Sequence, residues 1–126
     1  MSNLEQEAEN FLKEKYKMSD FRSYQLSASS TAIYPDNYKI LYPALGLAGE
    51  AGEVANKVKK IVRDGPQNMP KDWRDQLASE IGDVLWYCAA LATDLNLSLA
   101  TIASQNEAKL RRRKEADTLG GSGDNR

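Results

Sequence analysis

Apolar residues recur every three or four positions along most of this chain, which is the period of an α-helix rather than the alternation of a β-strand. Pro35 begins a break, because proline restricts the residue before it and the following Asp36 and Asn37 favour turns. Ser19 is predicted to cap the second helix and Ser98 the last one. The predicted helices span about residues 4–17, 20–28, 43–63, 71–95 and 98–114.

No segment alternates polar and apolar residues over the length of a strand, so we predict an all-α fold, a bundle of four to five helices. A chain of 126 residues has room for one hydrophobic core. We expect one helical domain over residues 1–115 and a disordered tail over 116–126, where Gly and Ser are frequent. Because so small a domain leaves a second side of its long helices to bury, oligomerisation is expected to complete the bundle.

The composition excludes several classes of function. Seventeen basic and eighteen acidic residues give a formal net charge of −1, without the positive field that stable nucleic-acid binding requires. The longest mostly apolar run, residues 84–92, is far shorter than the roughly 20 residues that span a membrane. A single cysteine, Cys88, and an N-terminus without a basic-then-apolar signal predict a cytoplasmic protein. The chain has no histidine, which excludes imidazole bases and histidine-ligated zinc.

The two central helices carry the same acidic motif. Residues 47–54 read Leu-Ala-Gly-Glu-Ala-Gly-Glu-Val and residues 77–84 read Leu-Ala-Ser-Glu-Ile-Gly-Asp-Val, with five of eight positions identical. The motifs also place Gly49, Gly52 and Gly82 inside helices, where each glycine costs up to about 1 kcal/mol relative to alanine. We therefore expect a neighbouring helix or a ligand to approach the backbone closely at these glycines.

Helix geometry makes this motif a candidate site. At about 100° per residue, Glu50 and Glu53 lie roughly 60° apart beside an apolar stripe, and Glu80 and Asp83 repeat the arrangement. Packing the two stripes as an antiparallel pair can bring the four carboxylates together, where a cation would relieve their repulsion. The alternative is that these acids form i, i+4 pairs on a solvated face, as Glu53 would with Lys57.

Oxygen ligands without histidine favour Mg²⁺, Mn²⁺ or Ca²⁺. Mg²⁺ retains several waters and is completed by the phosphate oxygens of a substrate, so the pattern indicates nucleotide or diphosphate chemistry. Mg²⁺ is the predicted cofactor, with Mn²⁺ as its substitute. A ferritin-like di-iron bundle also gathers carboxylates, but it requires Glu-x-x-His on two helices, and this chain has no histidine.

These motifs resemble those of the MazG-like all-α nucleoside triphosphate pyrophosphohydrolases. The resemblance covers about residues 42–114 and includes Gly-Asp-Val-Leu-Trp-Tyr at 82–87 and Asn-x-x-Lys-Leu-x-x-Arg at 106–113. It implies Mg²⁺-dependent cleavage of a nucleoside triphosphate between the α- and β-phosphates by a homodimer or homotetramer, for control of the nucleotide pool or clearance of non-canonical nucleotides. Relatives that cleave dCTP carry tryptophan where this chain has Lys60, so the resemblance implies no base preference.

The expected mechanism uses a water activated by the metal and by a motif carboxylate, because Ser and Cys would lack a histidine base. Glu50, Glu80 and Asp83 are predicted to hold the metal. Glu53 is predicted both to touch the metal and to accept the proton of the water, and Glu50 can exchange roles with it.

Basic and polar side chains near this motif are predicted to bind the substrate. Lys57 and Lys60 lie on the same side of their helix as the acids of the first motif. The basic cluster at residues 111–114 lies at the C-terminal end of the last helix, where complementation of the helix dipole is the alternative explanation. The predicted substrate-binding residues are Lys57, Lys60, Tyr87, Asn106, Lys109 and Arg113. The second function considered is a non-catalytic helical oligomer that binds nucleotide or a protein partner in the same groove.

Overall fold

The computed structural model describes residues 2–16, 20–117 and 120. Within them the chain forms five α-helices and no strand, which confirms the all-α prediction. The helices are α1 (Asn3–Tyr16), α2 (Phe21–Ser29), α3 (Leu41–Asp64), α4 (Trp73–Asp94) and α5 (Leu99–Glu115). Most of the predicted tail lies outside the described residues, so the domain boundary at residue 115 stays a prediction.

The helix ends follow the local sequence with one correction. Asp20 caps α2, because its side chain accepts a hydrogen bond of 2.7 Å from the backbone N–H of Ser23. The predicted cap, Ser19, is wrong for this helix and itself lies outside the described residues. Ser98 caps α5 as predicted, and α3 ends at Asp64, followed by the capping residue Gly65 with a φ of 85°.

The packing of α3 against α4 is the largest helix–helix contact of the described chain. The two helices form an antiparallel hairpin, joined by a short connection that includes a 3₁₀ turn at Pro66–Asn68. Gly46 lies opposite Tyr87, and Lys57 lies opposite Glu80. This pairing places the two acidic motifs at the same level of the hairpin.

Helices α2 and α5 pack on α4. Helix α2 packs on α4 and on α5, and Gln25 joins all three elements. Its amide nitrogen donates to Thr93 Oγ1 at 3.0 Å and to the carbonyl of Leu97 at 2.9 Å, while its amide oxygen accepts from the backbone N–H of Leu99 at 2.9 Å. The buried apolar residues of this small core are Ala28, Ala89, Ala90, Ala92 and Leu99.

A loop between α2 and α3 is held by one carboxylate. Asp94 accepts a hydrogen bond of 2.8 Å from the hydroxyl of Tyr34 and one of 2.9 Å from the backbone N–H of Ile40. Ile40 has a φ of 69°, which is costly for a β-branched residue. The hydrogen bond that Ile40 donates to Asp94 therefore fixes the entry into α3 and, with it, the orientation of the helix that carries the first acidic motif.

None of the described helices is by itself long and apolar enough to cross a bilayer. Helices α4 and α5 taken together are long and apolar enough, but they meet at a bend of 106°.

The close approach expected at the motif glycines occurs elsewhere. A Cβ atom on Gly49, Gly52 or Gly82 would meet nothing in the described chain within 4 Å, so the expected helix contact is absent there. A Cβ atom on Gly46 would overlap the ring of Tyr87. Gly46 is therefore the position at which α3 accommodates a ring of α4.

We expect Gly46→Ala to destabilise the protein by about 1–3 kcal/mol, because its methyl group would displace the buried edge of Tyr87. The matched control is Gly49→Ala, on the same helix without a neighbour within 4 Å, which should be neutral or stabilising by up to about 1 kcal/mol. Urea unfolding of both variants measures the difference. Equal effects of the two substitutions would contradict this account of the hairpin.

Candidate metal centre

Three motif carboxylates meet between α3 and α4. Glu50, Glu80 and Asp83 each offer one oxygen, and these three oxygens all lie within 4.8 Å of one another. Glu50 and Glu80 are half-buried, whereas Asp83 is exposed. We call these three residues the acid group. Its members come from both helices, so the site exists only where the hairpin is packed.

The acid group is crowded with negative charge. Burial raises the pKa of Glu50, and the neighbouring Asp83, Glu80 and Glu53 raise it further. The hydrogen bond between Glu50 and Glu80 acts in the same direction, since it favours a protonated carboxyl. Such a carboxyl cluster fits a divalent cation that prefers oxygen ligands, because the cation replaces the shared proton and offsets the repulsion.

One positive charge already faces the acid group. The ammonium of Lys57 lies 3.5 Å from a carboxylate oxygen of Glu80, and the two side chains are 30% and 17% exposed. The pair joins α3 to α4. The alternative expected from the sequence, an i, i+4 pair of Lys57 with Glu53, is not the ion pair that the described structure contains.

Glu53 lies at the edge of the site. It is exposed and outside the 4.8 Å group, although its charge contributes to the raised pKa of Glu50. Three of the four predicted carboxylates are thus brought together, and the fourth faces solvent one turn away. The roles of all four as metal ligands or base stay predictions.

Aromatic rings line the other side of the acid group. The pKa of the Tyr87 phenol is raised by burial, by a hydrogen bond with Tyr42 and by the nearby charges of Glu50 and Asp83. Tyr42 stacks on Tyr34 with ring centroids 4.7 Å apart and lies 6.3 Å from Tyr87. Burial and the hydrogen bond to Asp94 raise the pKa of Tyr34 to about 12.

Tyr42 was missed by the sequence analysis. The signal was available as an i, i+4 series on one side of α3, in which Tyr42, Gly46 and Glu50 follow one another at successive turns. This side of α3 thus presents the ring of Tyr42, then Gly46, which leaves room for the ring of Tyr87, and then the carboxylate of Glu50. Together they form one wall of the site.

A cavity of about 220 Å³ lies near the connection between α3 and α4, and Lys57, which pairs with Glu80, is one of its lining residues. Lys57 and Lys60 line it with ammonium groups and Asp64 with a carboxylate, while Trp73 contributes an aromatic wall and Asn68 and Gln76 contribute amides. The cavity therefore offers hydrogen-bond donors and a flat apolar surface, and Lys57 links it to Glu80 of the acid group.

The three predicted substrate-binding residues of α5 differ in their exposure. Asn106 is exposed, Lys109 is half-buried, and Arg113 is buried at 8% exposure and makes an interaction of its own. Arg111 pairs with Glu107 at 2.6 Å on the surface of α5. The phosphate contacts predicted for Asn106, Lys109 and Arg113 stay predictions.

Comparison with known proteins identifies the family and a relative of this chain. The family model of the MazG nucleotide pyrophosphohydrolase domain matches residues 41–117, which contain α3, α4, α5 and every predicted site residue. The chain is similar to the "Gene 37 protein" of Mycobacterium phage L5, with 50% identity over 109 residues that cover 82% of this chain and 96% of that protein. No solved structure matches the chain.

We expect the pH dependence of the protein's stability to reflect the raised pKa of Glu50. Its raised pKa means that the folded protein keeps this proton to a higher pH than the unfolded chain does, so the metal-free protein loses stability as the pH rises through that interval. Mg²⁺ affinity should rise over the same interval, because the ligand becomes ionised. Denaturation of wild type and Glu50→Gln from about pH 4 to about pH 7 measures the difference. Identical profiles would show that Glu50 titrates normally.

Proposed function

The chain belongs to the MazG nucleotide pyrophosphohydrolase family, and we propose that it hydrolyses a nucleoside triphosphate between the α- and β-phosphates. The products are the nucleoside monophosphate and pyrophosphate. The observation that carries the proposal is the convergence of Glu50, Glu80 and Asp83 within 4.8 Å, beside a cavity lined by two lysines. Carboxylates and lysines side by side suit a substrate whose phosphates must be bound together with a cation.

Glu50, Glu80 and Asp83 hold Mg²⁺ in this proposal, with Mn²⁺ as a substitute. The cation supplies Lewis acidity to the phosphate oxygens and lowers the pKa of a nearby water. Glu50 has a raised pKa in the metal-free protein and gives up its proton when it acts as a ligand.

Glu53 accepts the proton of the attacking water. Its carboxylate is exposed and one turn from Glu50, so it can face a water at the edge of the acid group without being a required ligand. The water oxygen forms a bond to phosphorus, the bond to the bridging oxygen breaks, and the proton passes to Glu53. Glu50 is the alternative base, as expected from the sequence.

The substrate lies along the hairpin. Lys57 and Lys60 at the cavity supply ammonium groups for the phosphates, and Tyr87 with the adjacent Tyr42 supplies aromatic surface for the nucleoside. Asn106, Lys109 and Arg113 complete the phosphate contacts in this proposal. The activity serves control of the nucleotide pool or removal of non-canonical nucleotides in the cytoplasm.

We expect Glu53→Gln to lower kcat for pyrophosphate release by about 10²- to 10⁴-fold, because the amide keeps the shape of the side chain and loses its basicity. Mg²⁺ binding should persist in this variant. Asp75→Asn, an exposed change on α4 outside the acid group, is the control and should leave kcat unchanged. A panel of ribonucleoside and deoxyribonucleoside triphosphates with Mg²⁺ provides the assay. Near-wild-type turnover by Glu53→Gln would reject the base assignment, and Mg²⁺-dependent nucleotide binding without turnover in wild type would favour the non-catalytic alternative.

The protein acts as a homodimer or homotetramer in this proposal. One side of α3, away from α4, carries exposed apolar residues at spacings of four and three, which is the pattern of a helix-packing seam. These residues are Ala44, Ala48, Ala51, Ala55, Val58 and Val62. Val62 is 77% exposed in the single chain, so a second copy of α3 would bury a surface that the described chain leaves uncovered.

We expect Ala55→Glu to dissociate the oligomer, because it places a charge in the middle of that seam. Asn56→Glu adds the same charge to the neighbouring polar side of α3 and should leave the assembly intact. Light scattering after size exclusion measures both masses. A wild-type mass of 14.0 kDa would contradict oligomerisation, and an unchanged Ala55→Glu assembly would show that another surface is used.

A further inference from the structure

Lys57 connects two parts of the site that the acidic motif alone does not join. Its ammonium lies 3.5 Å from a carboxylate oxygen of Glu80, a member of the acid group. The same side chain lines the 220 Å³ cavity together with Lys60. Lys57 therefore stands at the boundary between the carboxylates and the space beside them.

The charges around Lys57 indicate what it does there. Three carboxylates with oxygens within 4.8 Å repel one another, and Lys57 is the cation paired with them among the described ion pairs. One ammonium against three carboxylates leaves the acid group negative, so it still attracts a divalent cation. A ligand oxygen of Glu80 that contacts Lys57 is, however, less available to that cation.

We propose that Lys57 is the resident counter-ion of the acid group, which pairs with Glu80 in the metal-free protein and leaves it when a divalent cation binds. The flexible stem and three donors of a lysine allow the released ammonium to turn towards the cavity, where it meets the phosphate oxygens of a ligand. Lys57 thereby couples cation binding to phosphate binding. The second half of this inference rests on the proposed function; the first half does not.

Calorimetry with Mg²⁺ on the metal-free protein tests the first half. Lys57→Met removes the competing charge while keeping the length of the stem, and we expect its Mg²⁺ affinity to rise about threefold to tenfold. Lys60→Met is the control, since Lys60 lines the same cavity and forms no described ion pair with the acid group. Its affinity should change less than about twofold. Equal increases in both variants would mean a general effect of charge, and an unchanged or lower affinity of Lys57→Met would overturn the proposal.

Lys57→Arg keeps the test decisive if Lys57→Met does not fold. A guanidinium pairs with a carboxylate more persistently than an ammonium does, so Lys57→Arg should bind Mg²⁺ no more tightly than wild type. Tighter binding would contradict competition. Thermal unfolding gives a second readout: without metal, Lys57→Met should unfold at a lower temperature than Lys60→Met, and saturating Mg²⁺ should remove that difference.

Inorganic triphosphate tests the second half, because it carries no base whose identity matters. At saturating Mg²⁺ we expect Lys57→Met to bind it at least about tenfold more weakly than wild type, through loss of a charge-assisted hydrogen bond. Unchanged triphosphate affinity would overturn the coupling while leaving the counter-ion role. The Mg²⁺ measurement needs no turnover, so a counter-ion effect in a protein that hydrolyses no nucleotide would refute the proposed function alone. No Mg²⁺ binding by wild type would overturn both.

Discussion

The mutual repulsion of three carboxylates, held together by the packing of two helices, is the constraint on which the rest of this structure depends. Glu50 comes from α3, whereas Glu80 and Asp83 come from α4, and one oxygen of each lies within 4.8 Å of the others. The cost of this crowding is visible at Glu50, whose pKa is raised by burial and by the neighbouring charges. Elements outside the acid group oppose this repulsion. Tyr87 packs on Gly46 at one side of it, and the ion pair of Lys57 crosses the hairpin at the other.

Helix α3 has two apolar sides, of which α4 covers one. One side faces α4 and sets the level at which the acidic motifs meet. The other carries small residues such as Ala51 and Ala55 at seam spacing and is exposed in the single chain. The buried core near α2 is built largely from alanines, which contribute little area each. Helix α3 therefore contributes both to the acid group and to the exposed seam through which we propose that the protein assembles.

Much of the fold and part of the site follow from the sequence. The period of the apolar residues predicted the five helices. The repeated motif predicted that four carboxylates could converge, and Glu50, Glu80 and Asp83 do so. The exposed position of Glu53 could not be obtained in this way. A difference of roughly 60° around α3 decides between facing α4 and facing solvent, and it depends on the rotation of the packed helix.

Contacts between distant segments were also beyond the sequence pattern. The hydrogen bond between Ile40 and Asp94 joins residues 54 positions apart. The stacking of Tyr34 on Tyr42 depends on the loop that this hydrogen bond fixes. The positions of Ile40 and Tyr34 in the sequence pattern do not indicate these partners. The interhelical pair of Lys57 with Glu80 has the same character, since the i, i+4 spacing favoured Glu53 instead.

The central claim is that the acid group serves cleavage between the α- and β-phosphates of a nucleotide. Phosphorus NMR of a nucleoside triphosphate panel incubated with the protein and Mg²⁺ tests it most directly, since each product has its own resonance. The account predicts nucleoside monophosphate and pyrophosphate in equal amounts, with Mg²⁺ required and with no product from Asp83→Ala. Formation of nucleoside diphosphate and inorganic phosphate, or equal product from Asp83→Ala, would contradict it.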